Sequence, residues 1–166
     1  MDTGLARQDA RDDFDHARRR ANWAQLAGWL HGRPSNRLPV LGEVMTTGPA
    51  GPAVWRLEYE RAGPHGPGAE VMVPIDQIVG TVEPTRYFDR QFRPTSQLPR
   101  TRFEWIDDQI RSGHGMDPVE LYRCGGQYYV LDGHHRIAVA RALGENSILA
   151  NITDVRLTHP DVPADP

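Results

Sequence analysis

Five consecutive residues, Asp132-Gly133-His134-His135-Arg136, bring together one carboxylate, two imidazoles and one guanidinium. They follow the β-rich run "YYVL" and precede the alanine-rich pattern "IAVARAL", which Gly144 closes. A Gly turn between a strand and a helix exposes unpaired backbone N–H groups and suits an anion such as phosphate. Arg136 in the first turn opposes the helix dipole, at a cost of up to about 1 kcal/mol if no anion is near. Two readings of it stay open. It can fork onto phosphate oxygens, for which its planar shape is fitted, or it can reach an acidic side chain elsewhere. His134 and His135 can donate to the same oxygens, or one can relay a proton. Asp132 can cap the helix or help position Mg²⁺ on a phosphate. Adjacent histidines point roughly 100° apart on a helix, and no HExxH pattern or further Cys/His cluster accompanies them, so no metal ligand set is assigned.

Other residues are candidates for the same chemistry. Glu83 follows the run "IVGTV" and could act as a general base toward a hydroxyl; an exposed loop acid is the alternative. Arg86 and Arg90 flank the aromatics of "RYFDR" and could complete a phosphate clamp, although Arg90 could equally pair with Asp89. His114 sits in the Gly-flanked loop "SGHG".

Periodicity predicts the elements that must hold these residues. A helix is expected over residues 12–30, with residues 1–11 frayed, Asp12, Asp13 and Asp15 in the first turn, and Trp23, Leu26, Ala27 and Leu30 inward. Arg18-Arg19-Arg20 reads as a solvated helix face. The loop "TTGPAGPA" leads to "VWRLEYE", which alternates with period two, and "AEVMVPI" resumes an extended run. Residues 54–75 therefore suggest a long hairpin. A short helix over 102–111 turns Phe103, Ile106 and Ile110 inward. "PVELYR" and "QYYVL" are strands joined across "CGG", "ILANITDVRL" is a last strand, and residues 158–166 form a tail. Alternating strands and helices in the second half give an α+β class with a mixed sheet. We divide the chain into an extension at 1–70, a core at 71–157 and that tail.

Composition narrows the function. The 166 residues suit one domain. A net charge of −3 gives no global basic field for nucleic acid. All 19 Lys and Arg positions are Arg, which excludes a Walker lysine or a Schiff base. One cysteine, Cys124, excludes an internal disulfide framework and fits a reducing compartment. The polar N-terminus is unlike a signal peptide, and no apolar run is long enough to span a membrane, so a cytoplasmic location is expected.

The stretch Asp132-Gly133-His134-His135-Arg136…Ala140…Leu143-Gly144, preceded by "PVELYRCGGQYYVL", resembles the ParB/sulfiredoxin superfamily. "VPIDQIVGTV" is similar to the strand that opens the ParB core, and "FEWIDDQIRSGHGMDPVELYR" to its helix, loop and second strand. The resemblance covers residues 71–157 and extends to small ParB-like proteins that share the "FDRQF" segment. In ParB the matching turn reads Gly-Glu-Arg-Arg and cradles the triphosphate of CTP. In sulfiredoxin it reads Gly-Cys-His-Arg with a catalytic cysteine, and in archaeal free serine kinases a turn close to Asp-Gly-His-His-Arg lies at the nucleotide phosphates.

The resemblance implies nucleotide binding (CTP or ATP, with Mg²⁺) at Gly133, His134, His135 and Arg136, assisted by Arg86 and Arg90. The alternative it implies is a phosphotransferase or nucleotide hydrolase using Asp132, His134, His135 and Glu83. Here His134 stands in place of the sulfiredoxin cysteine, so sulfinic-acid repair is not expected, and Cys124 does not substitute for it. No helix-turn-helix is read after the core, so DNA binding or nuclease action is the weakest alternative. A protein partner or a homodimer is compatible with a switch module. Arg136→Ala is expected to remove nucleotide binding without unfolding the chain.

Overall fold

The computed structural model describes residues 3–30, 36–42, 56–59 and 69–158. In chain order these form α1 (Thr3–Leu30), β1 (Arg56–Tyr59), β2 (Glu70–Pro74), β3 (Ile78–Thr81), α2 (Arg100–Arg111), β4 (Val119–Cys124), β5 (Gln127–Asp132), α3 (His134–Ala142) and β6 (Ser147–Thr158). The expected α+β class with a mixed sheet is what the chain adopts. The strand order is β1-β6-β4-β5-β3, and β2 also pairs with β6. β4 and β5 are antiparallel, whereas β4/β6 and β3/β5 are parallel. The "CGG" turn folds as read: Gly125 and Gly126 both have positive φ (57° and 81°), which a tight hairpin turn requires and a side chain would resist.

Alternation along the strands separates two cores. Tyr128 and Val130 of β5, with Ile148, Ala150 and Ile152 of β6, face the helices together with Phe103, Ile106 and Ile137. Tyr129 and Val155 face a smaller cluster with Leu41, Tyr122 and Cys124. Phe14 of α1 is fully buried and meets Phe103 edge-on at 5.4 Å; burial of such a side chain is worth about 2 kcal/mol. Among the described residues no helix is long and apolar enough to cross a membrane.

Three expectations for the first half are corrected. α1 starts at Thr3, so residues 3–11 are helical and Asp12, Asp13 and Asp15 lie in mid-helix. Two of those acids serve α2: Asp15 meets Arg100 at 3.3 Å, and Asp13 binds Arg111. The buried face of α1 is Ala10, Phe14 and Ala21, while Trp23 is 70% exposed. Last, β1 and β2 do not pair with one another as a hairpin. Each runs antiparallel to β6, β1 along residues 155–158 and β2 along 147–151. The "TTGPAGPA" loop, Leu30's side chain and the tail from 159 lie outside what is described.

Candidate functional site

Asp132 is the last residue of β5, and α3 begins two positions later, so the strand delivers the turn directly to the helix start. The N-cap is Gly133, not Asp132, and no side chain caps the helix. Gly133 has φ 109°, where a side chain is strained, and a Cβ there would lie 2.6 Å from Val119 Cγ1. Glycine is thus demanded twice, by conformation and by the close approach of β4. With no side-chain cap, the first backbone N–H groups of α3 are left without an intrahelical acceptor.

The Asp132 carboxylate turns to Arg136 instead. The Arg136 guanidinium also donates to the backbone carbonyls of Pro118 and Asp117, the latter at 3.2 Å. This is the physical answer to a cation at a helix start: two carbonyls and one carboxylate compensate it, and they fasten the entry of β4 to α3.

His134 is held on several sides. Its Nε2 lies 2.8 Å from the Thr81 hydroxyl at the end of β3. That hydroxyl also reaches the Glu83 carbonyl at 2.8 Å and the Val130 carbonyl at 3.3 Å. Since Thr81 has one proton to give, spending it on the Glu83 carbonyl makes Nε2 the N–H donor and leaves Nδ1 bare. The ring stacks on Phe88 (6.0 Å, 15°) and tilts against Phe92. Burial, then neighbouring His135, push its pKa down to about 4, with Asp132 opposing. His135 meets Phe88 edge-on at 5.2 Å. Burial and then the Arg102 charge lower its pKa too, again with Asp132 opposing. Both imidazoles are therefore neutral near pH 7: hydrogen-bonding groups or bases, not cations.

A cavity of about 350 Å³ gathers Glu83, Asp132, Gly133, His134, His135 and Arg136. Six of the residues singled out from the sequence thus share one space. Arg86 and Arg90 do not join them. Arg86 lines a larger neighbouring cavity of about 730 Å³ beside α1, and its guanidinium lies over Tyr87. Arg90 is exposed and lines neither cavity. Asp89 pairs with Arg93 at 2.7 Å rather than with Arg90. The 730 Å³ space is the roomier one, but none of the six residues reaches it.

Four residues around this cavity went unread in the sequence. Arg102, in the first turn of α2, lines the cavity and lies over Trp105 at 5.1 Å. Thr81 holds His134 through its hydroxyl, 2.8 Å from Nε2. Phe88 walls both imidazoles and Phe92 walls His134; in "FDRQF" it is the aromatics four apart, not the arginine, that meet the histidines. Beside it lies a cavity of about 400 Å³ lined by Trp105, Ile110, His114 and Met116, sharing Arg102, Ile106 and Arg136. Cys124 ends β4 and is buried in the cluster on the other face of the sheet, away from the turn.

Among the described residues, no group of three or more His, Cys, Asp or Glu is placed to hold a metal ion. Glu83 and Asp132 are the carboxylates of the cavity. They would suit a Mg²⁺ held mainly by phosphate oxygens and water, which needs only one or two protein ligands.

No family model matches this sequence, and no curated protein matches it. The structure is similar to the crystal structure of sulfiredoxin from Arabidopsis thaliana, at 22% identity and a TM-score of 0.39, over 52% of this chain and 86% of that one.

Proposed function

We propose that the chain is a nucleotide-binding domain that seats phosphates at the Asp132–Arg136 turn. The observation that carries this reading is the single cavity shared by the uncapped start of α3, both histidines, Glu83 and Arg102. The resemblance of the turn to phosphate-binding turns of ParB-like proteins points the same way. Arg102 is the cation of the site that a phosphate would meet, because Arg136 is occupied by Asp132 and two carbonyls. Two guanidiniums face two carboxylates there, so a triphosphate brings excess negative charge. Mg²⁺ carried with the nucleotide offsets it. The adjoining cavity, aromatic and apolar through Trp105, Ile110 and Met116, is a fitting room for the base, with Arg102 at the junction.

One observation favours phosphoryl transfer over simple binding. Glu83 lies at the same cavity as His135, whose lowered pKa keeps it an unprotonated base near neutrality. An acceptor hydroxyl entering beside the phosphates would find a proton acceptor in either.

Calorimetric titration with ATP, CTP and GTP, each with Mg²⁺, tests the reading. One nucleotide is expected to bind, and Arg102→Gln to weaken it about tenfold, the worth of one charge-assisted contact. Phosphate release on top of binding would favour the enzyme. No binding by any nucleotide would sink the proposal and leave the turn a structural joint.

A further inference from the structure

At the other end of α3 a second cavity, of about 320 Å³, lies between α1, the turn at residues 89–93 and the last turn of the helix. His16 and Arg20 of α1, Gln91 and Arg93 of the turn, and Arg141 of α3 line it, with Asp13 as the one carboxylate. Asp13 is taken by Arg111. Arg93 is held by Asp89, itself only 2% exposed, through contacts at 2.7 and 2.8 Å. Among the described residues, Arg20 and Arg141 have no carboxylate partner.

Arg141 is half-buried. Its Nη2 donates to the Ile75 carbonyl at 2.9 Å, and its guanidinium lies 5.7 Å from the Phe92 ring centroid. Its Nε is buried without an acceptor. A desolvated guanidinium is costly, and an anion held beside it in the cavity offsets that cost, although the buried Nε itself stays out of reach. Asp89 and Asp76 act on Arg141 without forming an ion pair with it, and the lining of three arginines against one carboxylate still presents net positive charge to an anion. Phosphate has the oxygens to accept from two guanidinium forks at once.

We infer that this cavity is an oxyanion site for a phosphate, free or as the end group of a small phosphomonoester, with Arg20 and Arg141 as its charged contacts. It is separate from the turn at residues 132–136 and stands whether or not that turn binds nucleotide.

The test is titration with inorganic phosphate, followed by calorimetry and thermal melting, in the full chain. Saturable stabilisation is expected. Arg20→Gln, an exposed change that leaves the fold alone, is expected to weaken phosphate about tenfold, and Arg141→Gln to abolish the effect. Arg102→Gln, at the other cavity, is expected to leave phosphate affinity as it is while lowering nucleotide affinity. Absence of saturable binding, or wild-type phosphate affinity in Arg20→Gln, would overturn the inference. If Arg141→Gln does not fold, Arg20→Gln decides. Methyl phosphate binding more tightly than phosphate assigns the site to an ester; weaker binding assigns it to the free ion.

Discussion

The two ends of α3 treat an arginine in opposite ways. Arg136 stands at the start, where the helix dipole disfavours a cation, yet two backbone carbonyls and Asp132 compensate it. Arg141 stands in the last turn, where the dipole welcomes a cation, yet it holds one carbonyl, one aromatic face and an unsatisfied Nε. The unfavourable position is the satisfied one. Local electrostatics therefore does not say which arginine is structural and which is free for a ligand; the neighbours brought by β4 and by residues 89–93 do.

The largest expected effect attacks the start of the helix. Gly133→Ala would force a Cβ to within 2.6 Å of Val119 and a side chain into φ 109°. Strain and overpacking together predict a loss of about 4 kcal/mol, or a melting point lower by roughly 10 °C, read by thermal unfolding. A wild-type melting point would mean that Val119 yields and the joint is soft.

Next comes pH. The folded-state pKa of His134 is lowered to about 4 from the ordinary 6.5. The unfolded chain therefore takes up the proton first. The stability contributed by the neutral, buried ring is complete above pH 6.5 and is lost as pH falls from 6.5 toward 4, by up to about 3 kcal/mol. Unfolding by denaturant across that window should show the loss, and His134→Gln should flatten it. An unchanged slope in the variant would assign the titration to another group.

The direct comparison follows. Arg136→Ala is expected to cost about 2 kcal/mol, because the carbonyl bonds are part-buried, whereas the Asp132 partner is 73% exposed and adds little. Arg141→Met, which keeps the packing against Phe92 and removes a poorly compensated cation, is expected to cost under about 1 kcal/mol. Equal losses would erase the distinction between the two ends. Smallest, Cys124→Ser is expected to lower stability by about 1 kcal/mol and leave nucleotide affinity unchanged, since Cys124 packs on the opposite face of the sheet. Lost affinity in a folded Cys124→Ser chain would tie that face to the site.

Legibility in the sequence followed the range of the interactions. The hairpin at Gly125-Gly126, α2 and α3 rest on contacts within a few residues, and patterns of period two and 3.6 announce them. The same patterns misled where partners were remote. β1 and β2 pair with β6, some 75 to 100 positions along the chain, and alternation carries no information on which strand a strand will join. The acids at 13 and 15 looked like first-turn acids because their true partners, Arg111 and Arg100, lie on another helix.

The site divides along the same line. By itself the sequence determined that a carboxylate, two imidazoles and a guanidinium start a helix at the end of a strand, that Gly133 must turn the chain there, and that an α+β fold surrounds them. Only the tertiary structure decided what state those groups are in. It spent Arg136 on carbonyls of the β4 entry, made both histidines neutral by burying them, His134 against Phe88 and Phe92 and His135 against Phe88, brought Arg102 across from α2 and sent Arg86 to another cavity. Residue type and short spacing fix which groups occur and how a few neighbours lie; burial, and pairing between distant segments, fix their charge and their partners.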